Sequence, residues 1–248
     1  MQGKFIGVGI GPGDPELLTL KAVRIIQDSK ILAVPISDVS LLEPKVVTVN
    51  EAKEYLNSCV AYTITSQALP EVEQKKILLL PMPMIKDKER LAAIHDLGTK
   101  EVEKIINAGE NIVFLTLGDP TVYSTCMYIH KRLKRLGYRT ELIPGVPSFC
   151  AVAAKLDCSL VENSDELHIL PASYQIEEGL SLSGTKVLMK TGKKISVVRE
   201  LLLQEGLDVQ MVENCGMDGE KVYQSAEEIP DKPSYYSILV AKSQKGEV

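Results

Sequence analysis

Short runs that are apolar at every position alternate along this chain with longer stretches that are apolar only at every third or fourth residue. The first run, residues 4–10 (KFIGVGI), precedes a stretch in which Leu17, Leu18, Leu20, Val23, Ile25 and Ile26 recur at helical spacing. Asp14 stands where an N-cap belongs and Pro15 at a first helical position, so the spacing predicts a helix from Pro15 to Ser29. Residues 30–35 (KILAVP) and 75–84 (KKILLLPMPM) read as further strands, the second halted by its prolines. An amphipathic helix is predicted from Asp87 to Ala108 with Gly109 as its stop, and then a strand over 111–119 (NIVFLTLGD). Residues 36–76 carry a weaker pattern, with one helical piece, EAKEYL. Strands alternating with helices in this rhythm predict an α/β fold with a largely parallel sheet.

The rhythm changes in the second half. A helix over 121–137, a strand over 138–145 and a small-residue helix over 146–156 are followed by strands at 167–172, 186–190, 208–214 and 235–242. One more helix is predicted at Ser196–Gln204. This half has more strands and fewer long helices, which predicts two αβ domains, 1–116 and 117–248. There is no internal repeat and no linker rich in Gly or Ser.

Composition narrows the function classes. Of 248 residues 45% are hydrophobic and 25% charged, with no Trp and three Phe, so the core is expected to be aliphatic. A net charge of −5 argues against a general nucleic-acid binder. No apolar run reaches the roughly 18 residues a membrane span needs. The N-terminus enters a strand at once without a signal-peptide layout, and the five cysteines are odd in number and lack C-x-x-C spacing. A reduced, cytoplasmic setting is the expectation.

The first candidate for chemistry is FIGVGIGPGDPELLTL, residues 5–20. The dinucleotide fingerprint G-x-G-x-x-G fails in both frames: from Gly7 the last position is Pro12, and from Gly9 it is Asp14. A P-loop fails because no Gly-Lys-Ser/Thr closes the turn. Asp14 at the predicted helix start would repel a phosphate. The turn reads either as a tight strand–helix corner or as a place where main chain approaches a ligand that is not a polyphosphate.

Two more turns follow, FLTLGDPTVYST (114–125) and ELIPGVPSFCA (141–151). Gly-Pro-Gly-Asp-Pro, Gly-Asp-Pro and Pro-Gly-Val-Pro-Ser, in this order and at these separations, resemble the tetrapyrrole methylase family. Those enzymes methylate corrinoid and sirohaem precursors with S-adenosylmethionine. The likeness covers about 1–35 and 78–242. Thr121-Val122-Tyr123-Ser124-Thr125 after Gly-Asp-Pro, and Pro147-Ser148-Phe149 in the third turn, are similar to the branch acting at carbon 20 of precorrin-2 or its cobalt form. The uroporphyrinogen, diphthine and ribosomal RNA branches match these stretches less well.

The resemblance implies two unequal αβ domains with the ligand in the cleft between them, usually as a homodimer. The first domain would carry the glycine loop and the acceptor cleft, and the second the donor. By motif position, Pro12, Gly118, Asp119, Val122, Tyr123 and Ser148 would line S-adenosylmethionine, with S-adenosylhomocysteine as the product. Met189, Asn214, Cys215, Tyr236, Ser237 and Ile238 match later contacts of the family. The partner implied is a small-molecule tetrapyrrole, with no nucleic acid and no membrane.

Methyl transfer from a sulfonium asks mainly for alignment and exclusion of water. No single catalytic residue is assigned; the polar groups nearest the motifs are Asp14, Asp119 and Tyr123, with Tyr123 ranked as a positioning group because it would need a depressed pKa to act as a base. The carboxylates of the acceptor would be met by Lys86, Lys88 and Arg90 or by Lys190, Lys193 and Lys194, although a charge run more often is a solvated face. Cys126 and His130 are four apart on a predicted helix, read as packing and not as metal ligands, and no protein metal site is expected. A dinucleotide-dependent oxidoreductase is the rival from another class, disfavoured by the broken fingerprint and Asp14.

Overall fold

A computed structural model describes residues 2–173 and 176–243 of the chain, apart from the side chain of Lys193. Two compact units divide between Pro147 and Ser148. The expected boundary at 116/117 lies earlier because the strand at Thr140–Ile143 pairs with the first strand of the chain, keeping residues 117–147 in the first unit.

The first unit runs β1 (Phe5–Gly9), α1 (Leu20–Asp28), β2 (Ile31–Ile36), β3 (Lys45–Thr48), α2 (Val49–Leu56), α3 (Val60–Ala68), β4 (Lys76–Pro81), α4 (Lys88–Asn107), β5 (Ile112–Thr116), α5 (Cys126–Arg135) and β6 (Thr140–Ile143). Its six strands lie in the order β3-β4-β2-β5-β1-β6, all parallel except β3, which is antiparallel to β4 at the edge. The unbroken apolar runs are explained by burial on both faces. Successive side chains alternate: Leu32, Val34, Ile77, Leu79, Val113 and Leu115 meet α1, α2 and α3. Ile31, Ala33, Leu78, Leu80, Ile112 and Phe114 meet α4 and α5. The exits of the neighbouring strands β1 and β5 therefore lead to helices on opposite faces of the sheet.

The predicted helix over Pro15–Ser29 is corrected. Asp14 caps only a single 3-10 turn, Pro15–Leu17, and α1 begins at Leu20 with Thr19 as its N-cap, the Thr19 hydroxyl accepting from Ala22 N at 3.2 Å. This start sets Ala22 and Ile26 against the sheet and leaves Leu20 90% exposed. Within residues 36–76, β3 and α3 form where the sequence pattern was weak, and EAKEYL lies inside α2 behind a capping box of Thr48 and Glu51. The 121–137 helix is shorter than expected and begins at Cys126.

The second unit runs α6 (Ser148–Lys155), β7 (Leu167–Pro171), α7 (Glu177–Leu180), β8 (Thr185–Met189), α8 (Ile195–Gln204), β9 (Leu207–Glu213), β10 (Lys221–Tyr223) and β11 (Ser237–Ser243). Its sheet has the order β10-β9-β11-β8-β7 and only the β7–β8 pair is parallel, so the expectation of parallel pairing holds for the first sheet and not for this one. Leu188, Met211, Leu239 and Ala241 build its core with Val198 and Leu202 of α8. Among the described residues, no helix is long and apolar enough to cross a membrane.

Two histidines are buried at the packing of α4 and α5. His95 stacks on Tyr128 with centroids 4.5 Å apart, and His130 lies beside Phe5 with its Nδ1 buried and unbonded. Burial holds both below the usual histidine value of 6.5, with Arg132 adding to the effect at His95 and Lys134 and Lys131 at His130. Below pH 6.5 the unfolded chain takes up these protons first. The stability owed to neutral histidines is thus full above 6.5 and lost as pH falls toward the depressed folded values. Calorimetry is expected to show a falling melting temperature from pH 7 to 5, with a shallower fall in His130→Leu. Identical slopes in the two proteins would contradict this origin.

Candidate functional site

The three turns singled out in the sequence meet at the carboxyl ends of β1, β5 and β6. Gly11 and Gly118 form an isolated antiparallel bridge, with Gly118 N donating to Gly11 O at 2.7 Å. A Cβ on Gly145 would stand 2.3 Å from Gly118 O and 2.7 Å from the carbonyl carbon of Gly9. One on Gly9 would stand 2.6 Å from both Gly118 O and Gly145 N. Gly9, Gly118 and Gly145 thus form one seat in which three strand ends touch through main chain alone, a separation that side chains do not permit.

Polar side chains lock the seat. Asp119, 8% exposed, accepts from Thr121 N at 2.8 Å and from the Thr121 hydroxyl through Oδ1, and from Gly145 N at 3.1 Å through Oδ2. The hydroxyls of Thr116 and Ser124 lie 2.7 Å apart, and Ser124 Oγ accepts from Cys126 N at the start of α5. Tyr123 holds φ at +48°, a left-handed conformation that is an outlier for a bulky residue and occurs where surrounding structure enforces it. Burial raises its phenol above the ordinary value, the opposite of what a base requires. Pro12 is buried and Val122 half-buried beside these residues in sequence. Asp14 caps Glu16 N at 2.8 Å, away from any long-helix terminus, so its expected repulsion of a helix-bound phosphate does not apply. The case against a polyphosphate now rests on the broken fingerprint and on charge: residues 9–14, 116–125 and 143–147 contain no Lys, Arg or His. Carbonyls and carboxylates without cations suit a sulfonium.

In the second unit the later candidates gather at one end of the sheet. Met189 and Val212 are register partners of Ile238, and Glu213 of Ser237. Asn214 N donates to Tyr236 O at 2.9 Å. Asn214 is left-handed at φ +50°, held by Ser234 Oγ donating to its Oδ1 at 2.6 Å and by its Nδ2 donating to Gly219 O at 3.3 Å. Cys215 is a thiol, pushed up to about 11 by burial with help from Glu220. Glu220 accepts from Gly216 N and pairs with Lys155 of α6. Ser148, half-buried, is the first residue of α6.

Of the lysine clusters, Lys86, just before α4, and Lys88 and Arg90, in its first turn, are exposed. Lys190 follows Met189 at φ +59°, its ammonium pulled down by burial, Lys194 is exposed, and the Lys193 side chain lies outside the described residues. Cys126 and His130 both pack in the α5 core, with the thiol pushed up to about 12 by burial. Among the described residues, no group of three or more His, Cys, Asp or Glu could hold a metal ion.

Sequence reasoning passed over Gly9 and Gly145 as contact points, and Thr121, Ser124, Ser234 and Glu220 as supports. Thr121 carried a signal, since an Asp with Thr two residues later marks a side-chain-bonded turn. The supports of Asn214 carried none, because Ser234 comes from a remote segment.

The family model described as tetrapyrrole (corrin/porphyrin) methylases matches residues 4–230. The probable cobalt-precorrin-2 C(20)-methyltransferase of Methanocaldococcus jannaschii is 33% identical over 222 residues, covering 88% of this chain and 86% of that protein. The precorrin-2 C(20)-methyltransferase of Sinorhizobium sp is 28% identical over 254 residues, covering 98% and 96%. Among solved structures, uroporphyrin-III C-methyltransferase of Thermus thermophilus complexed with S-adenosylhomocysteine has a TM-score of 0.68 at 19% identity, covering 97% of each chain.

Proposed function

Since this chain belongs to the tetrapyrrole methylase family, we propose that it transfers a methyl group from S-adenosylmethionine to carbon 20 of a precorrin-2-type tetrapyrrole, with or without cobalt, in cobalamin biosynthesis. The observation that carries this reading is the glycine seat of Gly9, Gly118 and Gly145, where three strand ends meet through main chain and whose turns contain no Lys, Arg or His. It is supported by relatives at 33% and 28% identity that are named for the C-20 position.

When bound, S-adenosylmethionine supplies an electrophilic methyl group on a sulfonium. Pro12, Gly118, Asp119, Val122 and Tyr123 would line it in the first unit, and Ser148, Met189, Asn214, Cys215, Tyr236, Ser237 and Ile238 in the second. The chain contributes alignment and dryness more than proton transfer. Asp14 is bonded to its own turn, Asp119 to Thr121 and Gly145, and the raised Tyr123 phenol stays protonated. None of the three is offered as a base. Lys190 and Lys194, or Lys86, Lys88 and Arg90, would meet the acceptor carboxylates. A cytoplasmic homodimer belongs to the same reading and rests on the family resemblance.

The test is anaerobic incubation with methyl-labelled donor and, in parallel, metal-free and cobalt-loaded precorrin-2. Mass and NMR analysis is expected to place one label at carbon 20 of one or both acceptors. Transfer to neither, with donor still bound, would sink the C-20 assignment.

A further inference from the structure

Of the two aspartates in the turns, Asp14 and Asp119, only Asp119 is buried. The hydrogen bonds its carboxylate accepts come from Thr121, in its own turn, and from Gly145 in the third turn. One side chain therefore joins the ends of β5 and β6. It does so at the residue, Gly145, whose position the main chain of Gly9 and Gly118 already confines.

We infer that Asp119 is a positioning residue, whose carboxylate acts on the methyl donor through Gly145 by fixing the third turn against the first two. It takes no proton in the reaction. The inference rests on the donor-binding reading above, in which Asp119 lines the donor, while its carboxylate is bonded to Thr121 and Gly145.

Carboxylate chemistry makes the role sharp. Both Asp119 oxygens accept, so three donors are satisfied at once. In Asp119→Asn only one oxygen remains. With its oxygen toward Thr121, the amide presents its NH₂ to the N–H of Gly145; flipped, it presents the NH₂ to the N–H of Thr121. Either orientation leaves a backbone donor facing a donor, and this cannot be relieved by rotation.

S-adenosylhomocysteine is titrated calorimetrically into the full-length wild type, Asp119→Asn and Thr121→Val, with melting temperatures and steady-state kinetics alongside. Asp119→Asn is expected to weaken binding roughly 10- to 100-fold, the cost of orphaning a buried donor beside a charged acceptor. The same factor is expected in the donor KM. Loss of a general base would instead lower kcat by about 10²–10⁴-fold at unchanged donor affinity, and that result overturns the inference. Unchanged affinity together with unchanged kcat overturns it equally. Thr121→Val keeps the carboxylate and the link to Gly145 but removes one of three anchors, so a few-fold weakening is expected. If Asp119→Asn fails to fold, an unaltered affinity in Thr121→Val decides against the role. Failure of the wild type to bind overturns the donor reading itself and takes this inference with it.

Discussion

Gly145→Ala is expected to weaken S-adenosylhomocysteine binding by about 100-fold or more and to lower the melting temperature by roughly 6–12 °C. The added methyl group would lie 2.3 Å from Gly118 O and 2.8 Å from Gly9 O. These are backbone atoms at the ends of β5 and β1, and no rotamer change can move them aside. Relief needs a shift of the third turn, which breaks the bond from Gly145 N to Asp119 and opens the seat. Overpacking of this kind costs about 3 kcal/mol, and each kcal/mol lowers the melting temperature by about 2–4 °C in a protein of this size. A displacement on the order of 1 Å in positioning groups costs about 10²-fold. Gly98→Ala in α4 is the control, because its methyl group would meet only the ends of the Leu80 and Ile129 side chains at 3.2 and 3.4 Å. Those ends can yield, and alanine is the better helix former. Equal effects of the two substitutions, by calorimetry and by donor titration, would refute the seat.

Phe114→Ala is expected to cost about 3–5 kcal/mol in urea unfolding. Phe114 is fully buried in β5, its ring centroid 6.0 Å from that of Phe5 in β1. With three Phe in the chain and no Trp, the core has few large side chains to spread into the gap. Because β5 ends in the Gly118–Asp119 turn, the cavity would lie under the strand that delivers the turn. Phe114→Leu keeps most of the volume and is expected to lose much less. A cost for Phe114→Ala below about 1.5 kcal/mol would mean that α4 and α5 collapse into the space.

The first sheet was legible because its strands are buried on both sides. Residues 31–35 and 112–115 are apolar at every position, and the intervening helices repeat at their own period. Physical context that lies outside any local window was not legible. β3 is an exposed edge strand whose partner, β4, lies about thirty residues further on, so its four residues carry no apolar run. The start of α1 was misread because Asp14-Pro15 is an equally good opening for a single 3-10 turn, and only packing of Ala22 and Ile26 on the sheet selects Thr19 as the cap. The domain boundary was set by a change of rhythm, whereas the chain obeys pairing: β6 returns to β1 and brings the third turn with it.

The candidate site followed the same division. The turn motifs could be read because glycine and proline are required locally. That they meet, Gly9 against Gly118 against Gly145, depends on strand order, which no spacing in the sequence expresses. Asp119 stands out in the sequence as a polar group near the motifs, and its bonds to Thr121 and Gly145, which no local window shows, change what it can do.

The strand order also fixes a sequence of events in time. Phe5 pairs with Ile112 on one side and Thr140 on the other, while β2 and β4 are neighbours much closer along the chain. Closing such long loops is entropically costly and slow. Along this sequence β1 therefore waits for its two neighbours, β5 and then β6, and the glycine seat stays incomplete until residue 145 has been made. A nascent chain arrested before that point would have its strands but would lack the third wall of the glycine seat.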